Sequence, residues 1–253
     1  MIYSCIDDFL DENNDHLVSY IVSNIGGLTL VKNCLLSAQK NNVKIVLFAL
    51  DEEIAQIIEK DFSIEIVLYL ANLKKDFTYT YGSFEWIDVV YNRYFIAHRL
   101  MKEGRNIVYL DTDVLINKDY TLDIKRRLRQ NNIIIQSNGI NCCTGFFAMK
   151  STPKLIQFFN KKKMESKEYR KFGGNGGASD QKFFNHYIGE NMNEFNCVLL
   201  DRDYYPNGQH YYDNHQEIEE KCYIIHFNCM QGEEKKIKRM KLYNKFYITP
   251  SHI

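Results

Sequence analysis

The sequence predicts an α/β fold in which helices flank a mostly parallel central sheet. Through the first half of the chain, apolar strand-like runs alternate with segments that repeat apolar residues at helical steps. Parallel strands need long crossover connections, and single helices supply them. The strands are almost continuously apolar, which is typical of parallel strands buried on both faces.

The elements of the first half follow one another as strand and helix units. Glycines punctuate these units, as at Gly26, Gly27 and Gly104. The predicted strands are residues 16–24, 43–51, 64–70 and 106–110, and the predicted helices are residues 28–42, 52–60 and 84–104.

The second half, after Asp119, has a looser pattern that predicts mixed α/β structure. We predict strands at residues 132–137, 142–150, 196–201 and 222–227, helices at 152–163 and 181–189, and a glycine-rich loop at 172–181. The chain has only three prolines, no internal repeat and no linker-like segment. A single domain, residues 1–253, is therefore predicted, with halves at 1–119 and 120–253.

Composition excludes some classes of protein. The 32 basic and 32 acidic residues balance, which argues against a nucleic-acid partner bound by a broad basic face. No apolar run approaches the roughly 18 residues that span a bilayer, so no transmembrane segment is predicted. The N-terminus is acidic, unlike a signal peptide, and the seven cysteines are odd in number without CxxC spacing. We expect a cytoplasmic protein with reduced thiols.

Two carboxylates, Asp111 and Asp113, interrupt an apolar run directly after the predicted strand 106–110. Ligands gather outside the carboxyl ends of parallel strands, and a spacing of two places both side chains on one side of the chain. Such a pair could bind one divalent cation and leave positions for phosphate oxygens. A calcium-binding EF-hand loop is disfavoured because apolar residues 114–116 fill its middle, whereas a surface turn with solvated aspartates stays open.

The order of these motifs resembles the GT-A glycosyltransferases, nucleotide-diphospho-sugar transferases that carry a DxD metal motif. The segments 199–212 and 224–236 resemble the family that includes plant α-xylosyl- and arabinosyltransferases, and more distantly the glycogenin-like retaining enzymes. The resemblance extends from about His16 to Lys241. It implies a nucleotide-binding first half and a second half that binds the acceptor and completes the metal site.

The resemblance implies a Mn²⁺ or Mg²⁺ cofactor held by Asp111, Asp113 and His226. A histidine ligand favours Mn²⁺, because Mg²⁺ prefers oxygen. An isolated histidine after a strand is more often a hydrogen-bonded core residue. The assignment of His226 to the metal site therefore depends on the surrounding segment, which matches the family.

Donor-binding residues are implied at several places. A backbone approaches phosphate at Gly232, and Lys235 or Lys236 neutralises it. The alternative is a solvated basic helix, which also accounts for Lys238, Arg239 and Lys241. The remaining implied donor contacts are Thr112 beside the metal residues and Thr144 and Gly145 beside the donor sugar.

A basic residue on the long helix meets the donor in relatives, and Arg93 corresponds to it, with Arg99 as the alternative. Asn24 and Asp51 end the first two strands where relatives bind uridine and ribose. Asp51 could equally be the N-cap of the following helix.

Catalytic contacts are implied for Arg93 and for the pair Asp180 and Gln181 at a helix start. The glycogenin-like pattern has asparagine where this chain has Cys143. The implied reaction moves a sugar from a nucleotide-diphosphate donor, a UDP-sugar, to a hydroxyl of a glycan, glycoprotein or other acceptor with retention of configuration. Alternatives are a sugar-phosphate nucleotidyltransferase and a degenerate GT-A domain that serves as a carbohydrate-binding or scaffold protein.

The segment from Asp201 to His215 reads as an aromatic, polar loop between two core strands. Its tyrosines could stack on sugar faces of an acceptor, or half of them could pack under the loop as core. These tyrosines are Tyr204, Tyr205, Tyr211 and Tyr212.

Overall fold

The computed structural model describes residues 1–69, 84–160, 173–174, 177–178 and 180–249. The strands are β1 (Ile2–Tyr3), β2 (Leu17–Ser23), β3 (Val46–Ala49), β4 (Ile66–Leu68), β5 (Asn106–Leu110), β6 (Val114–Ile116), β7 (Ile133–Ser137), β8 (Cys142–Met149), β9 (Gly173–Gly174), β10 (Gly177–Ala178), β11 (Cys197–Leu199) and β12 (Ile224–His226). The helices are α1 (Ile6–Glu12), α2 (Leu28–Lys40), α3 (Glu52–Asp61), α4 (Phe84–Lys102), α5 (Thr121–Leu128), α6 (Pro153–Phe158), α7 (Asp180–Tyr187), α8 (Met192–Phe195), α9 (Gly208–Ile218) and α10 (Glu233–Leu242).

The central sheet has eight strands in the order β1-β4-β3-β2-β5-β8-β7-β11. Every neighbouring pair is parallel except the two that involve β8, which runs antiparallel to β5 and β7. The predicted α/β fold with a mostly parallel sheet is therefore confirmed, and β8 is the exception. From β2 the chain proceeds to β3 and β4 on one side, whereas β5 lies on the other side. Ligands in such sheets bind where the strand order reverses, which is here between the ends of β2 and β5.

Both faces of the sheet are covered, which explains the continuous apolar runs. Along β5, Tyr109 packs with α1, α4 and α7 on one face, and the adjacent Val108 packs with α2, α3 and α5 on the other. A third apolar cluster joins α9, β12 and α10. No helix within the described ranges combines the length and apolarity needed to cross a membrane.

Two segments differ from the sequence prediction. Residues 208–218 form helix α9 rather than a loop, because Asn207 caps it by accepting a hydrogen bond from the His210 backbone N–H at 3.0 Å. Part of the predicted glycine-rich loop 172–181 forms the antiparallel pair β9 and β10. Asp180 and Gln181 begin helix α7, and the remaining loop residues lie outside the described ranges. The end of the predicted helix 152–163 also lies outside them. All seven cysteines are free thiols.

Candidate active site

The chain brings Asp113 to His226 through a small second sheet. After β5 the chain turns, with the Val114 N–H bonded to the Asp111 carbonyl at 3.0 Å. It then continues as β6, which pairs antiparallel with β12 so that Val114 lies opposite His226. The Phe227 N–H donates to the Asp113 carbonyl at 2.9 Å. Backbone pairing therefore fixes the position of His226 beside the two carboxylates.

Three potential ligand atoms converge at this point. The Nε2 atom of His226 lies 3.3 Å from Oδ1 of Asp113 and 3.8 Å from Oδ2 of Asp111, and one ligand atom from each residue lies within 4.8 Å of the others. An octahedral cation bound at about 2.1 Å places adjacent ligand atoms about 3 Å apart. The three residues therefore fit a small divalent cation with little movement.

The remaining carboxylate oxygens are held by other side chains. Oδ1 of Asp111 accepts the Tyr109 hydroxyl at 2.6 Å and pairs with Nη1 of Arg93 at 3.1 Å. Oδ2 of Asp113 pairs with Nζ of Lys236 at 2.7 Å. Each carboxylate thus has one oxygen anchored by the protein and one that faces His226.

Arg93 connects the two acidic parts of the site. It is buried on α4, and its Nη1 lies 3.6 Å from Oδ2 of Asp180 and 3.2 Å from the Thr144 carbonyl. Burial lowers the pKa of Arg93, but the charges of Asp111 and Asp180 outweigh it and raise that pKa. The Tyr94 hydroxyl donates to the same oxygen of Asp180 at 2.8 Å. Asp180 is therefore oriented by a hydroxyl donor and a guanidinium charge, both from α4.

Strand β8 leaves its partner β7 at the site. Ile135 pairs with Phe147, and the next residue, Gln136, pairs with Cys143. Residues 144–146 of β8 consequently have no partner on β7. In this stretch the Gly145 carbonyl accepts the Asp111 N–H at 2.8 Å, so the irregular segment lies against the carboxylates.

The protonation states follow from the buried charges. Burial raises the pKa of Asp113, but Lys236 and His226 outweigh it and hold that pKa far below its usual range. Burial lowers the pKa of His226 and of Lys236, yet the charge of Asp113 raises both. Asp113 is therefore ionised, which a cation ligand requires.

The residues predicted for the nucleoside lie at the same edge of the sheet. Asn24 follows β2, and Thr112 lies half-buried in the turn after β5. Asp51 is the N-cap of α3, accepting the Ile54 N–H at 2.8 Å, and its second oxygen accepts the Ile25 N–H at 2.7 Å. Asp51 is thus the N-cap of α3, and it also ties the β2–α2 connection to β3. Its contact with the nucleoside stays a prediction.

The structure separates the basic candidates. Lys236 lies in the site, whereas Lys235 is exposed, and Gly232 precedes α10 with a φ of 90°. Arg99 pairs with Asp7 of α1 and not with the carboxylates. Gln181 accepts the Thr144 N–H through Oε1 at a long 3.4 Å.

Two of the tyrosines proposed for acceptor binding are core residues. Tyr205 and Tyr211 are fully buried, and their hydroxyls donate to Asp123 (2.8 Å) and to Glu219. Tyr212 packs on Tyr243, whereas Tyr204 is 40% exposed. The core alternative is therefore correct for Tyr205 and Tyr211, because both rings are buried and both hydroxyls are bonded to carboxylates of the protein.

Sequence reasoning missed three residues that hold the site together: Tyr94, Tyr109 and Gln136. The single signal for Gln136 is an amide that directly follows three isoleucines in a buried strand. Tyr94 is next to Arg93 in the sequence, and Tyr109 is close to the carboxylate pair. In the sequence, however, both look like ordinary aromatic core residues.

Residues 41–240 match the family model described as nucleotide-diphospho-sugar transferase. The UDP-galactose:fucoside alpha-3-galactosyltransferase of Dictyostelium discoideum is 21% identical over 195 residues, 69% of this chain and 30% of that protein. The UDP-D-xylose:L-fucose alpha-1,3-D-xylosyltransferase MGP4 of Arabidopsis thaliana is 28% identical over 151 residues, 58% of this chain and 40% of that protein. The matches thus span well under half of these two relatives.

Solved glycosyltransferases share the fold. Mouse xyloside xylosyltransferase 1 superposes with a TM-score of 0.54 at 16% identity, covering 85% of this chain and 98% of that one. The galactosyltransferase LgtC gives 0.52 at 11% identity, covering 92% and 97%, and GlyE of Streptococcus pneumoniae gives 0.57 at 16%, covering 94% and 66%. Because the family model matches most of the chain, the protein belongs to the nucleotide-diphospho-sugar transferase family and has the GT-A fold.

Proposed function

We propose that the protein is a divalent-metal-dependent glycosyltransferase that moves a sugar from a UDP-sugar to a hydroxyl acceptor. The observation that carries this proposal is the convergence of Asp111, Asp113 and His226 at the strand-order reversal of the sheet. UDP is proposed because the two curated relatives are named for UDP-galactose and UDP-D-xylose. Nothing in the described site favours a nucleotidyltransferase or a degenerate carbohydrate-binding scaffold.

The cation is proposed to be Mn²⁺, with Mg²⁺ as the alternative. Two carboxylates and one imidazole form a mixed oxygen and nitrogen donor set, which suits Mn²⁺ better than the all-oxygen preference of Mg²⁺. Bound there, the cation would stabilise negative charge on the leaving diphosphate as a Lewis acid. The protein's own contribution is to hold both carboxylates in place and to keep Asp113 ionised.

Lys236 is the residue that we propose to complete charge neutralisation of the donor diphosphate. Its Nζ is within reach of the site because it already contacts Asp113. Gly232 precedes its helix and leaves the backbone open to a phosphate. Fixed positive charge near a leaving group lowers the barrier when it is positioned in advance.

The other donor contacts stay assigned as the family resemblance implies. Asn24 and Asp51 would contact the nucleoside, and Thr112, Thr144 and Gly145 would line the diphosphate and sugar. Their common edge of the sheet supports this placement.

We assign the sugar transfer step to Asp180, Gln181 and Arg93, with retention of configuration. In same-face attack the departing phosphate accepts the acceptor's proton, so no strong protein base is required. Asp180 would then stabilise positive charge on the sugar, and its orientation by Tyr94 and Arg93 supports that role. The acceptor is proposed to be a glycan or glycoprotein hydroxyl. The single-domain division at residues 1–119 and 120–253 and the cytoplasmic location stay predictions.

Calorimetry of UDP binding with Mn²⁺ and with EDTA tests the proposal. We expect Mn²⁺ to tighten UDP binding at least about tenfold, and Asp111→Asn or Asp113→Ala to abolish both this effect and turnover of a UDP-sugar panel. Asp213→Asn, which changes a carboxylate outside the site that is bonded to Gln209, is the control and should leave both unchanged. Equal UDP affinity with and without metal would contradict the metal-dependent function.

A further inference from the structure

Gln136 lies behind the imidazole of His226, on the side turned away from the carboxylates. Its side chain is fully buried. Its Oε1 is 2.7 Å from Nδ1 of His226, whereas Nε2 of the same histidine faces Asp111 and Asp113. The amide and the carboxylates therefore contact opposite nitrogens of one ring.

The orientation of the Gln136 amide is determined by its neighbours. Its Nε2 donates to the Pro206 carbonyl at 2.9 Å and to the Tyr205 carbonyl at 3.2 Å. A flipped amide would place its oxygen against these two carbonyl oxygens, and none of the three carries a proton. Only the orientation with Oε1 towards His226 satisfies every group.

This orientation decides which ring nitrogen carries a proton. Oε1 of Gln136 can only accept a hydrogen bond, so Nδ1 of His226 must donate it. A neutral ring with the proton on Nδ1 has its lone pair on Nε2, the nitrogen that faces Asp111 and Asp113. A metal-binding imidazole needs this tautomer in order to bind through Nε2.

The surroundings hold both partners in place. The Pro206 carbonyl that fixes Gln136 lies 3.3 Å from the donating His226 backbone N–H, so one turn supports both residues. Gln136 also stands at the register shift between β7 and β8, and such irregularities re-aim side chains next to functional sites. Cys143, opposite Gln136, places Sγ 3.7 Å from Nδ1, and sulfur is a weak acceptor, so it is a weaker second partner of the same nitrogen.

We propose that Gln136 is a positioning residue that holds His226 in the Nδ1–H form and aims Nε2 at the cation. The proposal rests on the proposed metal role of His226. Loss of such outer partners lowers metal affinity by about 10- to 100-fold in other metal sites, and we expect the same range here.

The test compares Gln136→Met, which keeps side-chain length but removes the amide, with Asn33→Leu. Asn33 is also a fully buried amide, donating to the Lys245 carbonyl at 3.1 Å and to Met240 Sδ at 3.4 Å and accepting the Tyr247 N–H at 2.6 Å. None of these three partners is Asp111, Asp113 or His226. Both variants should lose stability. Only Gln136→Met should weaken Mn²⁺ binding, measured by calorimetry or electron paramagnetic resonance, by about 10- to 100-fold.

A second readout uses the metal-free protein with ¹⁵N-labelled histidine. The His226 Nδ1–H signal, assigned by its absence in His226→Ala, should be protected from exchange in the wild type and in Asn33→Leu, and lost in Gln136→Met. An unchanged signal together with unchanged Mn²⁺ affinity in Gln136→Met would overturn the proposal. If the wild type failed to bind Mn²⁺, that result would contradict the proposed function instead. The Nδ1–H signal of the metal-free protein would then test the contact between Gln136 and His226 without the metal.

Discussion

Gly145 lies directly against the imidazole of His226. A β-carbon at this position would be 2.7 Å from Nε2 and 2.8 Å from Nδ1, closer than non-bonded atoms approach. Positive φ angles occur at Gly104, Gly139 and Gly232 among the described glycines, so the backbone at Gly145 would accept alanine. The need for space beside the His226 ring, rather than a need for a positive φ, explains why position 145 is glycine.

We predict that Gly145→Ala displaces the His226 ring, weakens Mn²⁺ binding and lowers the free energy of unfolding by about 1–3 kcal/mol, the usual cost of overpacking. Calorimetry and chemical denaturation measure the two effects. In a His226→Ala background the same substitution should cost little stability, because the ring is absent. A full cost in the double variant would mean that something other than the ring excludes the methyl group.

Lys236 and Lys235 should differ in their contribution to donor binding. Lys236 contacts Asp113 in the site, whereas Lys235 is exposed to solvent. We predict that Lys236→Met weakens UDP binding in the presence of Mn²⁺ at least about tenfold, the loss expected for a charge-assisted contact. Lys235→Met is the matched control and should change the affinity less than about twofold. Equal losses of UDP affinity in the two variants would mean that both lysines act only as part of a diffuse positive surface charge.

Arg93 should be a major contributor to stability as well as to the site. Arg93→Met leaves the buried Asp180 and the partly buried Asp111 without their shared cation, and breaking buried ion pairs costs about 3–5 kcal/mol. Arg99→Met on the same helix removes a largely exposed pair with Asp7 and should cost at most about 1 kcal/mol. Urea denaturation of the two variants measures the difference, and similar costs would show that the Arg93 network is not a net contributor.

The buried tyrosines of the segment 201–215 should act on stability rather than on acceptor choice. Tyr205→Phe removes a hydroxyl that donates to Asp123 at 2.8 Å, which costs about 1.5–3 kcal/mol for a bond to a charged group. Sugar transfer and donor hydrolysis should then fall together if they fall at all. Tyr204→Phe changes an exposed side chain and serves as the control for stability. A selective loss of transfer in Tyr205→Phe would restore an acceptor role for this residue.

Local patterns accounted for most of the elements. The continuous apolar runs of β2, β3 and β5 reflect burial on both faces. This burial is visible in the residues of each strand taken alone. The sequence analysis missed helix α9 because its mixture of aromatic and polar residues makes the apolar face hard to recognise, although Asn207 provides a cap. The antiparallel direction of β8 has no local signature, since a strand buried on both faces reads the same in either direction.

The position of Asp111 and Asp113 directly after a buried strand can be read from nearby residues, because strand periodicity and burial are local properties. By contrast, the folded chain was needed to see that Lys236 rather than Lys235, and Arg93 rather than Arg99, lies beside the carboxylates. It was also needed to see that Gln136 meets His226, 90 residues away. The contact between Gln136 and His226 depends on the register of β6 with β12 and of β7 with β8, whereas the other two choices depend on how α4 and α10 pack. Strand register is set by packing between segments that are far apart in the chain, so it cannot be read directly from the sequence.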